Sequence, residues 1–295
     1  MKEIQSMTGQ QDLFALFGNP VAQSLSPLMH NAAYGAMGLP ARYEAFQAGN
    51  AEEAVRMIRE RNILGASVTI PFKTAVMAFL DEVDKDARII GAVNTIRNRS
   101  GKLGGFNTDW LGLTRSLGEH LEIRGKKFAV LGSGGAARAA VFGIAREGGI
   151  PVIFCRNPET GKALSRDLGC LALPMSRLDT VTADCLINAT PVGMMPGEGK
   201  TPVDGKVLEH FEWVMDMIYN PLRTKLLDDA EAAGCSVIDG LPMFVHQGAG
   251  QIRIWTGMKP PIDVMTGTVR EELLRRGSMT NVEEKKNRDS RYAES

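Results

Sequence analysis

Cysteine is scarce in this chain and is nowhere spaced for chemistry. The four cysteines, Cys155, Cys170, Cys185 and Cys235, are scattered with no Cys-x-x-Cys, so neither a disulfide framework nor a zinc site is expected. Cys155, Cys185 and Cys235 fall in apolar runs that read as buried strands, which makes packing their expected role. Charge of neither sign prevails: Lys+Arg and Asp+Glu are both 34, so there is no global basic field to attract nucleic acid or anionic lipid. No apolar run approaches transmembrane length, and Met1 to Gln11 is polar and lacks a signal-peptide core. Histidine is sparse too, 4 in all. His30 reads as a packed or capping residue, His246 has no partner at metal-ligand spacing, His120 and His210 read as surface residues, and no metal site is expected. These absences predict a cytoplasmic protein that works on neither nucleic acid nor membrane.

What is present is an ordinary globular composition, 44% apolar and 23% charged over 295 residues, long enough for two modest domains or one large one. Strand and helix signals alternate. Leu13 to Phe17 reads as a strand, and Ser26-Pro27 as an N-cap followed by the first helical position. Asn50 with Glu53 forms a capping-box-like start for a helix through about Asn62. Leu64 to Ile70 reads as a buried strand, Lys73 to Leu80 as a helix, and Asn98-Arg99-Ser100-Gly101 as a hairpin turn between Ala92–Ile96 and Leu103–Phe106. A helical stretch begins at Asp109. Lys126–Leu131, Val152–Cys155, Cys185–Ala189, Trp213–Ile218 and Cys235–Ile238 read as strands. Helices follow the first two, to Glu147 and over Pro158–Leu168, and Leu241–Trp255 and Ile262–Arg276 close the fold. This alternation predicts an α/β protein with a mostly parallel sheet covered on both faces. The stretch from Gly277 to Ser295 is polar and charged and is expected to be disordered.

Several motifs carry chemistry. Gly18-Asn19-Pro20-Val21-Ala22-Gln23-Ser24-Leu25-Ser26-Pro27 places two hydroxyls and free backbone N–H groups at a strand-to-helix turn, the makings of an anion site. Gly132-x-Gly134-x-x-Ala137 between a strand and a helix fits the dinucleotide fingerprint: Gly132 for the tight turn, Gly134 for close approach to the pyrophosphate, Ala137 for helix–strand packing. Where an NAD-binding unit usually places a carboxylate, this chain has Cys155-Arg156-Asn157, so Arg156 is positioned to attract a 2′-phosphate, and NADP is expected over NAD. Ser67-Val68-Thr69-Ile70-Pro71-Phe72-Lys73, Gly91-Ala92-Val93-Asn94-Thr95 and Phe106-Asn107-Thr108-Asp109 each deliver a polar group to a strand end. By itself, Asp109 reads as a helix cap.

Taken in order, these pieces resemble the shikimate dehydrogenase family over roughly Phe14 to Leu273. The likeness continues in Asn188-Ala189-Thr190-Pro191-Val192-Gly193-Met194, Asp216-Met217-Ile218-Tyr219-Asn220-Pro221 and Asp239-Gly240-Leu241-Pro242-Met243-Phe244-Val245-His246-Gln247. The resemblance implies that Ser24 and Ser26, helped by Tyr219, hold a substrate carboxylate. Thr69, Asn94, Asp109 and Gln247 would bind ring hydroxyls, and Lys73 and Asp109 would form the catalytic pair, with Lys73 also touching substrate. Gly132, Gly134, Gly135, Ala136, Ala137, Arg156, Asn157, Asn188, Thr190, Met194, Ile218 and Gly240 would border NADP. It further implies a discontinuous substrate domain, 1–108 plus 241–276, and a Rossmann-like NADP domain, 109–240, with the active site in the cleft between them. The reaction would be reduction of 3-dehydroshikimate by NADPH, and its reverse. Three positions depart from the family pattern: Ser67 stands where Asn is usual, Cys155 where an Asn commonly precedes the arginine, and Pro191 where Ser is frequent. The first puts the tightness of the loop carrying Lys73 in question. An NAD-using quinate/shikimate dehydrogenase and a non-catalytic ligand sensor remain as alternative readings, with folate-linked dehydrogenases more distant. Oligomeric state stays open, a homodimer included.

Overall fold

In β1 (Asp12–Gly18) the residues from Phe14 to Phe17 all face a core: Phe14 and Leu16 enter one apolar cluster, Ala15 and Phe17 another. A strand buried on both faces needs layers on both sides, and the first half of the chain supplies them. The computed structural model describes the backbone of residues 11–293 and the side chains of residues 11–278. After β1 come α1 (Ser26–Ala36), β2 (Ala41–Gln47), α2 (Ala51–Glu60), β3 (Gly65–Val68), β4 (Glu82–Val83), α3 (Lys85–Ile90), β5 (Thr95–Arg99), β6 (Lys102–Phe106) and α4 (Asp109–Gly118). The six strands form one sheet in the order β2-β1-β3-β5-β6-β4. It is mixed, because β5 runs antiparallel to both β3 and β6. The expected hairpin is there, with Ser100 and Gly101 as its turn.

A second sheet of six strands is parallel throughout, in the order β12-β11-β10-β7-β8-β9. Its elements are β7 (Lys127–Leu131), α5 (Gly135–Arg146), β8 (Ile150–Cys155), α6 (Pro158–Leu168), β9 (Leu171–Pro174), β10 (Cys185–Asn188), α7 (Gly205–Leu208), β11 (Trp213–Asp216), α8 (Lys225–Ala232) and β12 (Ser236–Ile238). From β7 the chain proceeds to β8 on one side and later to β10 on the other. The two directions part between β7 and β10, where an open α/β sheet binds its ligand. Here too the strands face two cores, with Phe128 and Val130 in one and Ala129 and Leu131 in the other.

The chain then returns. On α9 (Leu241–Thr256), Leu241, Phe244, Val245, Ala249 and Ile252 join Phe14, Leu16, Met29 and Ala33 in the cluster on the first sheet. So do Met265, Val269 and Leu273 of α10 (Ile262–Ala293). No helix of the described residues is long and apolar enough to cross a membrane.

Local details differ from expectation. Ser26 is not an N-cap: Leu25 occupies that position without a side-chain cap bond, and Ser26 and Pro27 open the helix. The Ser24 hydroxyl accepts from the Ser26 N–H at 3.2 Å, satisfying a donor from outside the helix. Lys73 to Leu80 forms only a 3-10 segment, Ala75–Phe79. The helix begun by Asn50 ends at Glu60. The expected disordered stretch 277–295 instead continues α10 through Ala293, with 294–295 outside the described residues. The ion pairs Glu272–Arg275 and Glu272–Arg276, at i,i+3 and i,i+4, support the helix where that continuation begins.

Candidate active site

The antiparallel placement of β5 builds the first half of the site. Thr69 and Lys73 follow β3, Asn94 immediately precedes β5, and Asp109 follows β6, so all four emerge at one edge of the sheet. Asp109 is not the cap of α4, which is Thr108; it is the first helical residue. Its carboxylate turns toward the cleft, where Lys73 Nζ donates to Oδ2 at 2.5 Å. Asn94 Nδ2 donates to Asp109 Oδ1 at 2.8 Å and to Thr108 Oγ1 at 2.9 Å. Asn94 Oδ1 accepts from the Thr108 N–H at 2.8 Å and from Thr95 Oγ1 at 2.7 Å, which fixes which end of the amide faces Asp109. Gln247, reaching in from α9, approaches Asn94 Nδ2 at 3.4 Å. Thr69 is half-buried beside them, its methyl over Gly18.

Ser24, Ser26 and Tyr219 form a second group. Ser24 Oγ donates to Ser26 Oγ at 3.2 Å. Tyr219 stacks on Phe244 with ring centroids 3.9 Å apart. Burial raises the Tyr219 phenol, partly offset by its hydrogen bonds to Ser24 and to the Leu25 backbone. The hydroxyls of this cluster are therefore neutral donors at ordinary pH, suited to a carboxylate. Its backbone connects to the lysine group through Phe244, whose carbonyl accepts from Gln247 Nε2 at 2.8 Å.

The second sheet brings its glycine-rich turn to the same cleft. Gly132 has φ 118°, the left-handed side that lets the chain turn sharply from β7. Gly134 precedes α5 with no side-chain cap bond, and a Cβ placed on it would meet nothing within 4 Å. Open space therefore lies beside Gly134 at the start of α5, the end of a helix whose first-turn N–H groups suit a pyrophosphate. Ala137 is buried against the sheet. Gly135 is the point where the two halves meet: a Cβ there would lie 3.1 Å from Lys73 Cβ and 3.3 Å from Ala92 Cβ. Ala136 shares that first turn.

The remaining sequence-predicted residues divide. Arg156 is exposed after β8 with no ion pair among the described residues, and Asn157 caps α6, accepting from Glu159 N–H at 2.9 Å. Thr190 and exposed Met194 follow β10. Ile218 and Gly240 pack tightly together, so that a Cβ on Gly240 would run into the Ile218 carbonyl. Asn188 does not face the cleft. It is fully buried, with Nδ2 donating to Asp216 Oδ1 and Val192 O and Oδ1 accepting from Thr190. Asp216, also buried, accepts from Ile218 N–H at 3.0 Å and Thr224 Oγ1 at 2.7 Å. Burial pushes its carboxyl up to about 6, against the pull of those bonds. Sequence reasoning missed Gln251, buried four residues after Gln247; the i,i+4 spacing on one helix face was the available signal.

A mixed sheet with a polar edge, faced across a cleft by a parallel sheet with a glycine-rich turn, defines a two-domain oxidoreductase with a Rossmann-like unit. Residues 16–96 match the shikimate dehydrogenase substrate binding domain, and residues 240–270 match the shikimate 5′-dehydrogenase C-terminal domain. The chain belongs to the shikimate dehydrogenase family. It is 40% identical over 284 residues to the shikimate dehydrogenase (NADP(+)) of Methanopyrus kandleri, covering 91% of this chain and 98% of that one. With the protein of the same name from Thermococcus kodakarensis it shares 42% over 265 residues, covering 88% and 96%. The crystal structure of the Thermus thermophilus shikimate 5-dehydrogenase with NADP(H) and shikimate superposes with a TM-score of 0.81 at 37% identity, over 88% of this chain and 99% of that one.

Proposed function

We propose that this protein is an NADP-dependent shikimate dehydrogenase, interconverting 3-dehydroshikimate and shikimate. The observation that carries the reading is the Lys73–Asp109 pair at 2.5 Å, set directly beside the open N-terminus of α5. The residues present fit the dinucleotide. Gly132, Gly134, Gly135, Ala136 and Ala137 would cradle the pyrophosphate, Arg156 with Asn157 would take the 2′-phosphate, and Thr190, Met194, Ile218 and Gly240 would border the cofactor. Asn188 acts on that border from beneath, by shaping the loop after β10. When bound, NADP(H) supplies or accepts the hydride.

This chain's own residues do the rest. Ser24, Ser26 and Tyr219 hold the substrate carboxylate and set its orientation. Thr69, Asn94, Asp109 and Gln247 take ring hydroxyls. As the ketone is reduced, negative charge grows on its oxygen; the Lys73 ammonium stabilises that charge and holds a proton within reach of it. Asp109, fixed by Asn94, keeps Lys73 in place and anchors the product hydroxyl. We divide the chain at 1–108 plus 241–276 for substrate and 109–240 for NADP, a division supported by the return of α9 and α10 to the first sheet. A cytoplasmic location is supported by four unpaired cysteines, Cys155, Cys170, Cys185 and Cys235. An assay crossing shikimate and quinate with NADP+ and NAD+ tests the reading. Fastest reduction of NADP+ with shikimate is expected, and absence of any shikimate-dependent reduction would refute it.

A further inference from the structure

Behind the lysine group lies a buried chain of hydrogen bonds. The Tyr43 hydroxyl donates to Ser67 Oγ at 2.6 Å, and Ser67 Oγ donates to Gln251 Oε1 at 2.8 Å. Gln251 Nε2 donates to Thr95 Oγ1 at 3.3 Å and to the Asn94 carbonyl at 3.2 Å. Thr95 Oγ1 donates to Asn94 Oδ1, and Asn94 Nδ2 donates to Asp109 Oδ1, whose other oxygen holds Lys73. Tyr43, Ser67, Gln251, Asn94 and Thr95 are each no more than 5% exposed. Burial raises the Tyr43 phenol, so it stays a donor. The two amides are fixed in orientation, Gln251 by the Asn94 backbone carbonyl and Asn94 by the Thr108 N–H and the Asp109 carboxylate, and reversing either would leave buried groups unpaired; the Thr95 hydroxyl alone has a second hydroxyl in reach, Thr108 Oγ1 at 3.3 Å.

We propose that Gln251 is a positioning residue for the reaction and that it acts as one unit with Ser67. The departure from the family's usual Asn at position 67 is where the two meet. A serine hydroxyl carries its donor and its acceptor on one short atom, used here for Gln251 and Tyr43; an asparagine separates its NH2 donors and its acceptor on a longer arm. In this chain the amide comes from α9 instead, through Gln251, and Ser67 is the short partner that leaves room for it. The loop carrying Lys73 is thereby held from two sides. Val68 N–H donates to the Asn94 carbonyl at 2.8 Å from the strand, and Gln251 Nε2 donates to the same oxygen from the helix. The inference rests on the proposed dehydrogenase reading for its kinetic test alone.

Four variants separate positioning from mere packing. Gln251→Glu, assayed at a pH where its carboxyl is ionised, keeps the shape and the acceptor for Ser67 but removes the donor to Thr95 and Asn94. It is expected to lower kcat about 5- to 150-fold, the size of one buried hydrogen-bonding group left unmet, with KM for NADP+ within about twofold. Gln251→Ala and Ser67→Asn alone are each expected to lose activity, the first by an unfilled gap and the second by crowding. The double variant Ser67→Asn/Gln251→Ala, in which the introduced amide extends into the vacated space, is expected to regain most of the loss, a positive coupling between sites in contact. Thermal midpoints are measured on all four. A Gln251→Glu enzyme with unchanged kcat, or a double variant no better than the poorer single, would overturn the proposal. Side-chain amide NMR supplies a readout free of substrate. Asn94 is expected to give one slowly exchanging NH2 pair that broadens in Gln251→Glu and sharpens again in the double variant. An unaltered pair would overturn the proposal even if the wild type proved inactive on shikimate, an outcome that by itself defeats only the functional reading.

Discussion

Lys73 and Asp109 keep 17% and 6% of their side chains exposed, so their pairing is made largely out of water, where opposite charges attract more strongly. Replacing Lys73 with Ala removes the charge facing the reacting oxygen. Turnover is expected to fall by about 10²–10⁴, the range for a positioned acid or base, while shikimate affinity measured by calorimetry changes much less; a near-wild-type kcat would exclude Lys73 from the reaction. Arg156 is the residue proposed to meet the 2′-phosphate at the other end of the cleft. A charge-assisted hydrogen bond is worth roughly 1.5–3 kcal/mol, so Arg156→Ala is expected to weaken NADP(H) by about ten- to a hundredfold and leave NAD(H) little changed. Titrating both cofactors checks this, and equal loss for both would remove the 2′-phosphate role. The residues that make these arguments were legible in the sequence because each sits in a short local motif. Gln251 was not, nor was the ring partner of His30, which is packed as expected. The Gln251 bonds to Ser67 and Asn94 span 184 and 157 positions. The His30 ring lies 4.1 Å from that of Tyr43, a stacking no local pattern announces.

Elements whose signals are local were the readable ones. Asn50 Oδ1 accepts from the Glu53 N–H at 2.8 Å, and Glu53 Oε2 accepts in return from Gly49 N–H at 2.7 Å, so the helix start inferred from the Asn-x-x-Glu spacing is made as expected, one position displaced in the returning bond. Asn50→Ala is expected to cost about 1 kcal/mol of stability in a denaturant titration and to leave kcat unchanged, since α2 lies on the face of the sheet away from α9. Pro158–Leu168 was legible to the residue because Asn157 caps it and Gly169, in the left-handed region, ends it. Other elements depended on partners the sequence does not display. The strand Ala41–Gln47 places Arg42 and Glu44 among its apolar residues and holds its place by pairing along the whole of β1. The hairpin of β5 with β6 was legible from Asn98-Arg99-Ser100-Gly101, but the antiparallel pairing of β5 with β3, which makes the first sheet mixed, was not. Ser26 is not the cap because the helix begins at Ser26 itself, one residue earlier than the Ser-Pro pattern suggests.

Across the whole molecule, two buried groups give stability opposite dependences on pH. Asp216 is held up at about 6 by burial, so the stability it contributes is complete below the ordinary carboxylate range and is lost as pH rises through about 6. His30 is pushed down from 6.5 to about 4, chiefly by burial, so its contribution is present above 6.5 and is lost as pH falls through about 4. Between about 4 and 6 the two slopes oppose. Asp216→Asn removes one of them. A tenfold change in proton affinity is worth about 1.4 kcal/mol, so the stability advantage of the wild type over this variant is expected to shrink by roughly 2–3 kcal/mol from about pH 4 to about pH 7. Urea titrations at both pH values measure it, and a constant difference would show that Asp216 is ionised throughout. The return of α9 and α10 to the first sheet has a further consequence, in the order of synthesis. Phe14 and Leu16 share a core with Met265 and Leu273, so a ribosome must release almost the entire described chain before the first sheet has both its faces covered. The second sheet draws all its strands from one uninterrupted stretch and has no such wait. A chain normally completes its earlier unit first; here the sheet whose strands are made earlier finishes after the one made later, and any truncation before Leu273 leaves an apolar sheet face open to aggregation or to chaperones.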